Sequence, residues 1–427
     1  MFRMEDALDH KDRTAPLIAS SVAARPGQLN FILVCVFIDM LGIGLIIPVL
    51  PILVGKFVAT RDLQAYWFGV LATVFGLLQF LFMPALGALS DKFGRRPVMM
   101  YSMAGMCLNF LTTAWAPNLA ALFVGRIIGG MSSASMAVAS AYASDVSTPQ
   151  NRAKSFGKVG AAMGLGFICG PALGGYLGSI SLHLPFYLAA GLCAANLLYG
   201  YFYVPESLPQ ANRADFSLAR ANPFAALLRL AGRADVRGLL VAYALAMFAQ
   251  ATLYTTWVLY TDFRFGWTPR DNGIALFCVG LSAAVVQAGL LGWLIRRIGE
   301  VRLSLLGLTS GTIAYFLYGM ATHGWMMYAI IFANVLAVAS GPALQGILSK
   351  ATAPDEQGAL MGSLQSLASL GTVLMPVLGA SVLGWASHLP ANDWRMGSTF
   401  FICCAMQGIG IAVAWRYFKR HRAAGAE

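Results

Sequence analysis

The chain has 427 residues, of which 58% are hydrophobic and 11% charged, and its mean hydropathy is +0.68. Soluble domains carry about 25% charged residues, so this composition excludes an ordinary water-soluble enzyme or binding module and points to a chain dissolved in a bilayer. A net charge of +11 would suit nucleic acid, but the basic residues gather on alternate loops, which is a topological signal and argues against a nucleic-acid surface.

Residues 1–28 mix both charge signs and lack an apolar core ahead of a small-residue cleavage site, so they read as a cytoplasmic tail and not as a signal peptide. A helix needs roughly 20 apolar residues to cross the hydrocarbon core. Twelve such stretches follow, near 29–53, 66–90, 97–115, 119–143, 156–178, 184–204, 238–262, 270–296, 300–320, 325–349, 358–385 and 395–417. The expected architecture is an all-α membrane protein with a six-helix bundle over 29–204, a linker over 205–237, a second bundle over 238–417 and a tail over 418–427. The linker phrase NPFAALLRLAGR suits a short helix on the inner membrane surface.

Lys92, Arg95, Arg96, Arg152, Lys154, Lys158, Arg296, Arg297, Arg302 and Lys350 fall on one set of loops, together with the arginines of the linker and both tails. The opposite loops hold only Lys56, Arg61, Arg264, Arg270 and Arg395. By the positive-inside rule both termini are expected in the cytoplasm, with the chain in a bacterial inner membrane. The cysteines all lie within predicted spans and form no CxxC pair, as buried apolar thiols do.

An internal repeat emerges at an offset of 205 residues, which places Gly87 on Gly292, Gly94 on Gly299, Pro149 on Pro354, Gly166 on Gly371, Pro171 on Pro376 and Gly174 on Gly379. Glycine and proline mark where helices approach closely or bend, so their coincidence at one offset describes a duplicated six-helix unit. Parallel six-helix halves suit a transporter with its substrate site between them near mid-membrane.

A charge in the middle of a span is costly, and such residues face a cavity or a partner. Asp39 lies about ten residues into the first span, and Arg126 lies within the fourth. The plain reading of Asp39 is a structural acid bonded to neighbouring backbone; the functional one is a proton carrier, since desolvation penalises the charged form of a carboxyl. Arg126 has the plain alternative of bonding backbone carbonyls. At about 1.5 Å per residue the two sit on the order of 10 Å apart in depth, so a direct ion pair is not expected. Gln79, Gln250, Tyr254, Asn334, Gln345 and Gln365 are further polar groups in apolar surroundings, each suited either to bond a neighbouring helix or to touch a ligand.

The loop after the second span reads GALSDKFGRRP, from Gly87 to Pro97. Gly87 lets two helices touch, Gly94 turns the chain sharply, and Arg95 and Arg96 place charge at the interface beside Asp91. This spacing resembles the signature loop of the major facilitator superfamily. GIGLIIPVLP in the first span, GRIIGG in the fourth, GPALGG in the fifth, and GPALQGILSK with QGALMGSLQSLASL in the last third resemble its tetracycline/proton antiporter branch.

The resemblance implies a drug efflux antiporter. Asp91, Arg95 and Arg96 would take part in a cytoplasmic gate, to which Asp145 and Arg152 in ASDVSTPQNRAKSFG would add, with Asp91 reaching a helix of the other half in the outward-open state. Arg126 and Asp39 would be the family's fourth-helix arginine and first-helix aspartate, and Gln79 a cavity-lining group. Three positions depart from the tetracycline pattern: Asn109 and Gly311 stand where acids are expected, and Ala283 where a histidine is. Asn109 keeps hydrogen-bonding capacity and remains a candidate for substrate contact, but it cannot exchange a proton.

The leading expectation is export of tetracycline or a related amphiphile in exchange for protons, driven by the proton gradient, by a monomer that meets lipid and no nucleic acid. No bound cofactor or metal site is expected, and whether Mg2+ travels with the drug is left open. Alternatives are a proton-driven exporter of another antibiotic or metabolite and a sensor or assembly factor that has lost transport. An enzyme is not expected, since no span holds HExxH, a Ser with a His, or paired carboxylates.

Overall fold

A computed structural model describes residues 28–148, 150–214, 236–352 and 357–424. The expected surface helix of the linker lies outside the described residues, as do Pro149 and Pro354 of the repeat. Every predicted span is a helix: α1 (Leu29–Gly55), α2 (Arg61–Phe93), α3 (Arg95–Ala114), α4 (Leu119–Asp145), α5 (Arg152–Ile180) and α6 (Leu184–Tyr203) in the first half. In the second half come α7 (Arg237–Phe265), α8 (Pro269–Ile298), α9 (Glu300–Met320), the pair Gly324–Ala333 and Val335–Lys350 forming α10, α11 (Gln357–Ala386) and α12 (Ser398–Ala424). Several run past the apolar stretch that predicted them, because flanking polar residues continue the helix into the interface.

Among the described residues, ten of these helices are by themselves long and apolar enough to cross a bilayer, and α10, bent by 46°, makes an eleventh. The exception is α3, which opens on Arg95 and Arg96 and carries Ser102, Asn109 and Thr113. It completes the set by position: α4 and α6 flank it, and those three polar side chains are fully buried between the helices.

Several spans break where their sequences demand it. The α1 rod is interrupted at 47–49, around Pro48 and ahead of Pro51, since proline cannot donate the i→i−4 bond. The α4 rod breaks at Ser133–Ala134, and α8 contains a π-helical turn over Val286–Leu290.

The halves repeat each other's packing. α1 lies against α5 and α6 as α7 does against α11 and α12, and α3 lies against α4 and α6 as α9 does against α10 and α12. The turns after α2 and α8 are built alike, on Gly94 at φ +108° and Gly299 at φ +76°, a region that a side chain makes costly.

The halves meet along α2 with α11 and α5 with α8, through small residues that bring backbones close. A Cβ on Gly69 would stand 2.8 Å from the Pro376 carbonyl, and one on Gly76 would stand 2.5 Å from that of Thr372. Between them Thr73 donates to the Val373 carbonyl at 3.0 Å. On the other seam a Cβ on Gly175 would meet the Pro269 carbonyl at 2.5 Å and Gly273 Cα at 2.8 Å. GPALGG thus serves two contacts at once, because Gly170 packs equally tightly on Gly44 of α1.

All these contacts lie toward the end where α2 begins and α5 finishes. Toward the opposite end, Gly87 of α2, Gly157, Gly160 and Gly164 of α5, Gly289 and Gly292 of α8 and Gly362 of α11 have nothing within 4 Å of an added Cβ. The halves are therefore sealed at one end and parted at the end that carries the α2–α3 loop. The expectation that Gly87 lets two helices touch is not met, because nothing lies within 4 Å of a Cβ added there.

Candidate functional site

Among the described residues, each half lines a chamber. The first, of about 420 Å3, is lined by Asp39, Gln79, Ser133, Ser135, several methionines and, from the other half, Gln365 of α11. Asp39 is half-buried and is held by α6, where the Asn196 amide donates to its Oδ1 at 2.9 Å and to the Cys35 carbonyl at 3.0 Å. Gln79 donates to Ser133 Oγ at 2.8 Å, so the break in α4 supplies the hydroxyl that positions it.

Arg126 is not part of this lining. It is buried between α4 and α3, where it donates to Asn109 Oδ1 at 2.8 Å and lies 5.4 Å over the Phe75 ring. It has no ion pair among the described residues, in line with the depth difference read from the sequence. Asn109 requires a correction as a candidate for substrate contact: it is 0% exposed, packs on Gly129, and lines neither chamber. Helix periodicity had placed it in a span without showing that α4 covers it.

The second chamber, of about 390 Å3, gathers Gln250, Tyr254, Asn334 and Gln345, and its wall also includes Ala283 and Gly311. Gln250 donates to the Tyr254 hydroxyl at 3.3 Å, Gln345 to the Tyr243 hydroxyl at 2.9 Å, and Ser310 to Asn334 Oδ1 at 2.9 Å. No charged side chain lines this chamber. Two carboxamides that reading the sequence did not single out complete it, Gln287 on the π-helical turn of α8 and Gln407 on α12. Both are isolated glutamines in apolar runs, the same signal that had pointed to Gln250.

At the parted end the α2–α3 loop forms a charged knot. Arg95 donates to Asp91 at 2.5 Å, to Asp145 at 3.0 Å and to Ser90 Oγ at 2.7 Å. Glu206, which follows α6, accepts from the backbone N–H groups of Arg95 at 2.8 Å and Arg96 at 3.2 Å. Its carboxylate therefore satisfies the first donors of α3, where the helix dipole favours negative charge. The Arg96 guanidinium donates to the Tyr201 carbonyl, and Ser207 donates to Asp145 at 3.1 Å. Gly94 leaves room for this: a Cβ there would strike the Glu206 carboxylate. Arg152 is exposed at the start of α5 and has no ion pair among the described residues, so it is not drawn into the knot.

The repeat offset carries Arg95 onto Glu300, Asp145 onto Lys350 and Asp91 onto Arg296. Glu300 and Lys350 are indeed paired, at 2.8 Å. The second half thus keeps the ion pair of the first with its charges exchanged.

Residues 32–341 and 239–427 match the model of the Major Facilitator Superfamily, together spanning nearly the whole chain. The chain belongs to the major facilitator superfamily. Within it, the chain is 36% identical over 377 residues to the tetracycline resistance protein, class C, of Escherichia coli, covering 88% of this chain and 95% of that protein. It is 35% identical over 373 residues to the class B protein, also of Escherichia coli, covering 86% and 92%. Among solved structures, the nucleoside transporter NupG superposes with a TM-score of 0.72 at 13% identity, covering 92% of this chain and 98% of that one, which speaks for the fold alone. This superfamily member is a multi-pass membrane transporter, and the expected branch agrees with the curated relatives.

Proposed function

We propose that this transporter exports an amphiphilic drug, tetracycline or a related compound, in exchange for protons, with the parted end and both termini in the cytoplasm and a single chain as the working unit. The observation that carries this reading is a lone acid, Asp39, on the lining of either chamber, in a molecule sealed at the far end. Drug entering from the cytoplasm fills the space between the halves. The halves then rock about the α2–α11 and α5–α8 seams, opening the far side, where Asp39 takes up a proton and the drug leaves. Return to the present state lets Asp39 release the proton inward. Its bond from Asn196 keeps the carboxyl aimed into the chamber in either protonation state, since one oxygen stays available. Arg126, bound to Asn109, would act on Asp39 only as a charge across the bundle.

The knot of Asp91, Arg95 and Asp145, braced by Arg96 and Glu206, would hold the α2–α3 loop in shape while the two ends alternate. When the parted end closes, Asp91 would come to the N-terminus of α11, where a negative charge is favoured. A second reading, export of a different antibiotic or metabolite, is favoured by Asn109, Ala283 and Gly311, none of which can ionise.

Uptake of tetracycline into inverted membrane vesicles under an imposed proton gradient, with Asp39→Asn alongside, tests the proposal. Gradient-driven uptake lost in the variant supports it. Full uptake by Asp39→Asn would remove the proton role, and no uptake by the native chain would pass the function to the second reading.

A further inference from the structure

The chamber of the second half has a chemical character that narrows what it can hold. Its polar lining is made of the carboxamides Gln250, Gln287, Asn334, Gln345 and Gln407, tyrosine hydroxyls and the hydroxyls of Ser282 and Ser340, set among Trp257, Tyr315 and Tyr318. Of these, Gln250, Gln345 and Gln407 each spend an N–H on a protein acceptor, Gln407 on the Leu308 carbonyl at 2.9 Å. Their amide oxygens remain as acceptors for a guest, while the hydroxyls of Tyr243 and Tyr254, which accept from the glutamines, keep a proton to donate.

Gln407 is held in a particular way. It is 4% exposed, and its amide lies over Gly311, where any Cβ would collide with Nε2. Gly311 and Gln407 are thus complementary: the absent side chain on α9 makes the space that the carboxamide of α12 fills, and the amide becomes part of the chamber wall.

A divalent ion is bound through oxygen ligands, usually with one or two carboxylates, and a charge in a low-dielectric chamber is costly without a counter-charge. This chamber has no carboxylate, and among the described residues no group of three or more His, Cys, Asp and Glu is arranged to hold a metal. Aromatic walls favour flat rings, and about 390 Å3 is within the usual range for a small-molecule site.

We propose that this chamber binds the uncharged, hydroxyl-bearing ring system of the cargo without a divalent cation, and that Gln407, seated on Gly311, is a residue that determines its specificity. The proposal deepens the reading of the chain as an exporter, on which it rests for the identity of its guest as cargo. Binding itself is independent of transport, so the two can fail separately.

The test is equilibrium binding to the purified full-length protein in nanodiscs, followed by quenching of tryptophan fluorescence. Tetracycline serves as a hydroxylated ring probe, and tetraphenylphosphonium as an aromatic cation without hydrogen-bond donors. Tetracycline is expected to bind more tightly than tetraphenylphosphonium, with an affinity unchanged between excess Mg2+ and excess chelator. Gln407→Ala and Gln345→Leu should each weaken it by about tenfold, the scale of one lost hydrogen bond. Gln407→Asn, which retains the amide, controls for folding, together with the elution profile of each variant. Binding that needs Mg2+, preference for the cation, no tetracycline binding by the folded native protein, or indifference to both glutamine substitutions would each overturn the proposal; absence of gradient-driven uptake by a native chain that binds tetracycline would count only against the antiport reading.

Discussion

The two halves of this transporter share a backbone and differ in where they keep charge. The first half places an acid on its chamber lining and builds its loop knot with one base between two acids, Asp91, Arg95 and Asp145. The second lines its chamber with amides and hydroxyls, none of them charged, and its knot positions read Arg296, Glu300 and Lys350, with every sign reversed. Duplication preserved the glycine turns and the ion pair as geometry, while the sign of the charge was free to change, because a pair works equally well in either polarity. What did not stay equivalent is burial: the Asp145 side chain is 21% exposed, whereas that of Lys350, its equivalent, is 72% exposed.

The comparison breaks first at Asp39. Asp39→Asn should lower gradient-driven uptake in inverted vesicles by about a hundredfold or more, the scale on which a positioned proton-transfer group contributes. An acid placed in the other chamber, Gln345→Glu, should not restore it, and recovery of coupling in that double variant would show that the halves are interchangeable.

The knots come next. Arg95→Glu removes the base between Asp91 and Asp145 and leaves three acids together in a partly buried setting, so active transporter should fall by about tenfold, measured as uptake per folded protein. Glu206→Gln keeps the shape of the α3 cap and removes its charge. It should cost about 1 kcal/mol, read as a lower thermal midpoint in detergent. The smallest effect is expected at Glu300→Gln, whose partner is exposed, where the loss should be about 1 kcal/mol or less. If Glu300→Gln proved as damaging as Arg95→Glu, the asymmetry of burial would not govern the two knots.

Much of this was legible in the residues themselves. Long apolar stretches need no partner to announce a spanning helix, since the bilayer requires each segment to satisfy its own backbone. The repeat was visible because Gly94 and Gly299 answer to one local demand, a positive φ. The candidates Gln250, Tyr254, Asn334 and Gln345 were found as polar groups in apolar runs, and they do share one chamber. Asn109 carried the same signal and lines neither chamber, because periodicity cannot distinguish a cavity from a neighbouring helix. Glu206 was passed over because its partners, the first N–H groups of α3, lie more than a hundred residues away.

The sequence by itself determined that the chain crosses a membrane many times in two related halves and that Asp39 is an acid within a span, since composition, repeat and local backbone preference are properties of short segments. Only the tertiary structure decided which end is sealed, that Arg126 turns to Asn109, that the second chamber is without charge, and that Gln407 fills the space left by Gly311. Those outcomes depend on which helix faces meet, and contacts between segments hundreds of residues apart are set by packing that no single segment encodes.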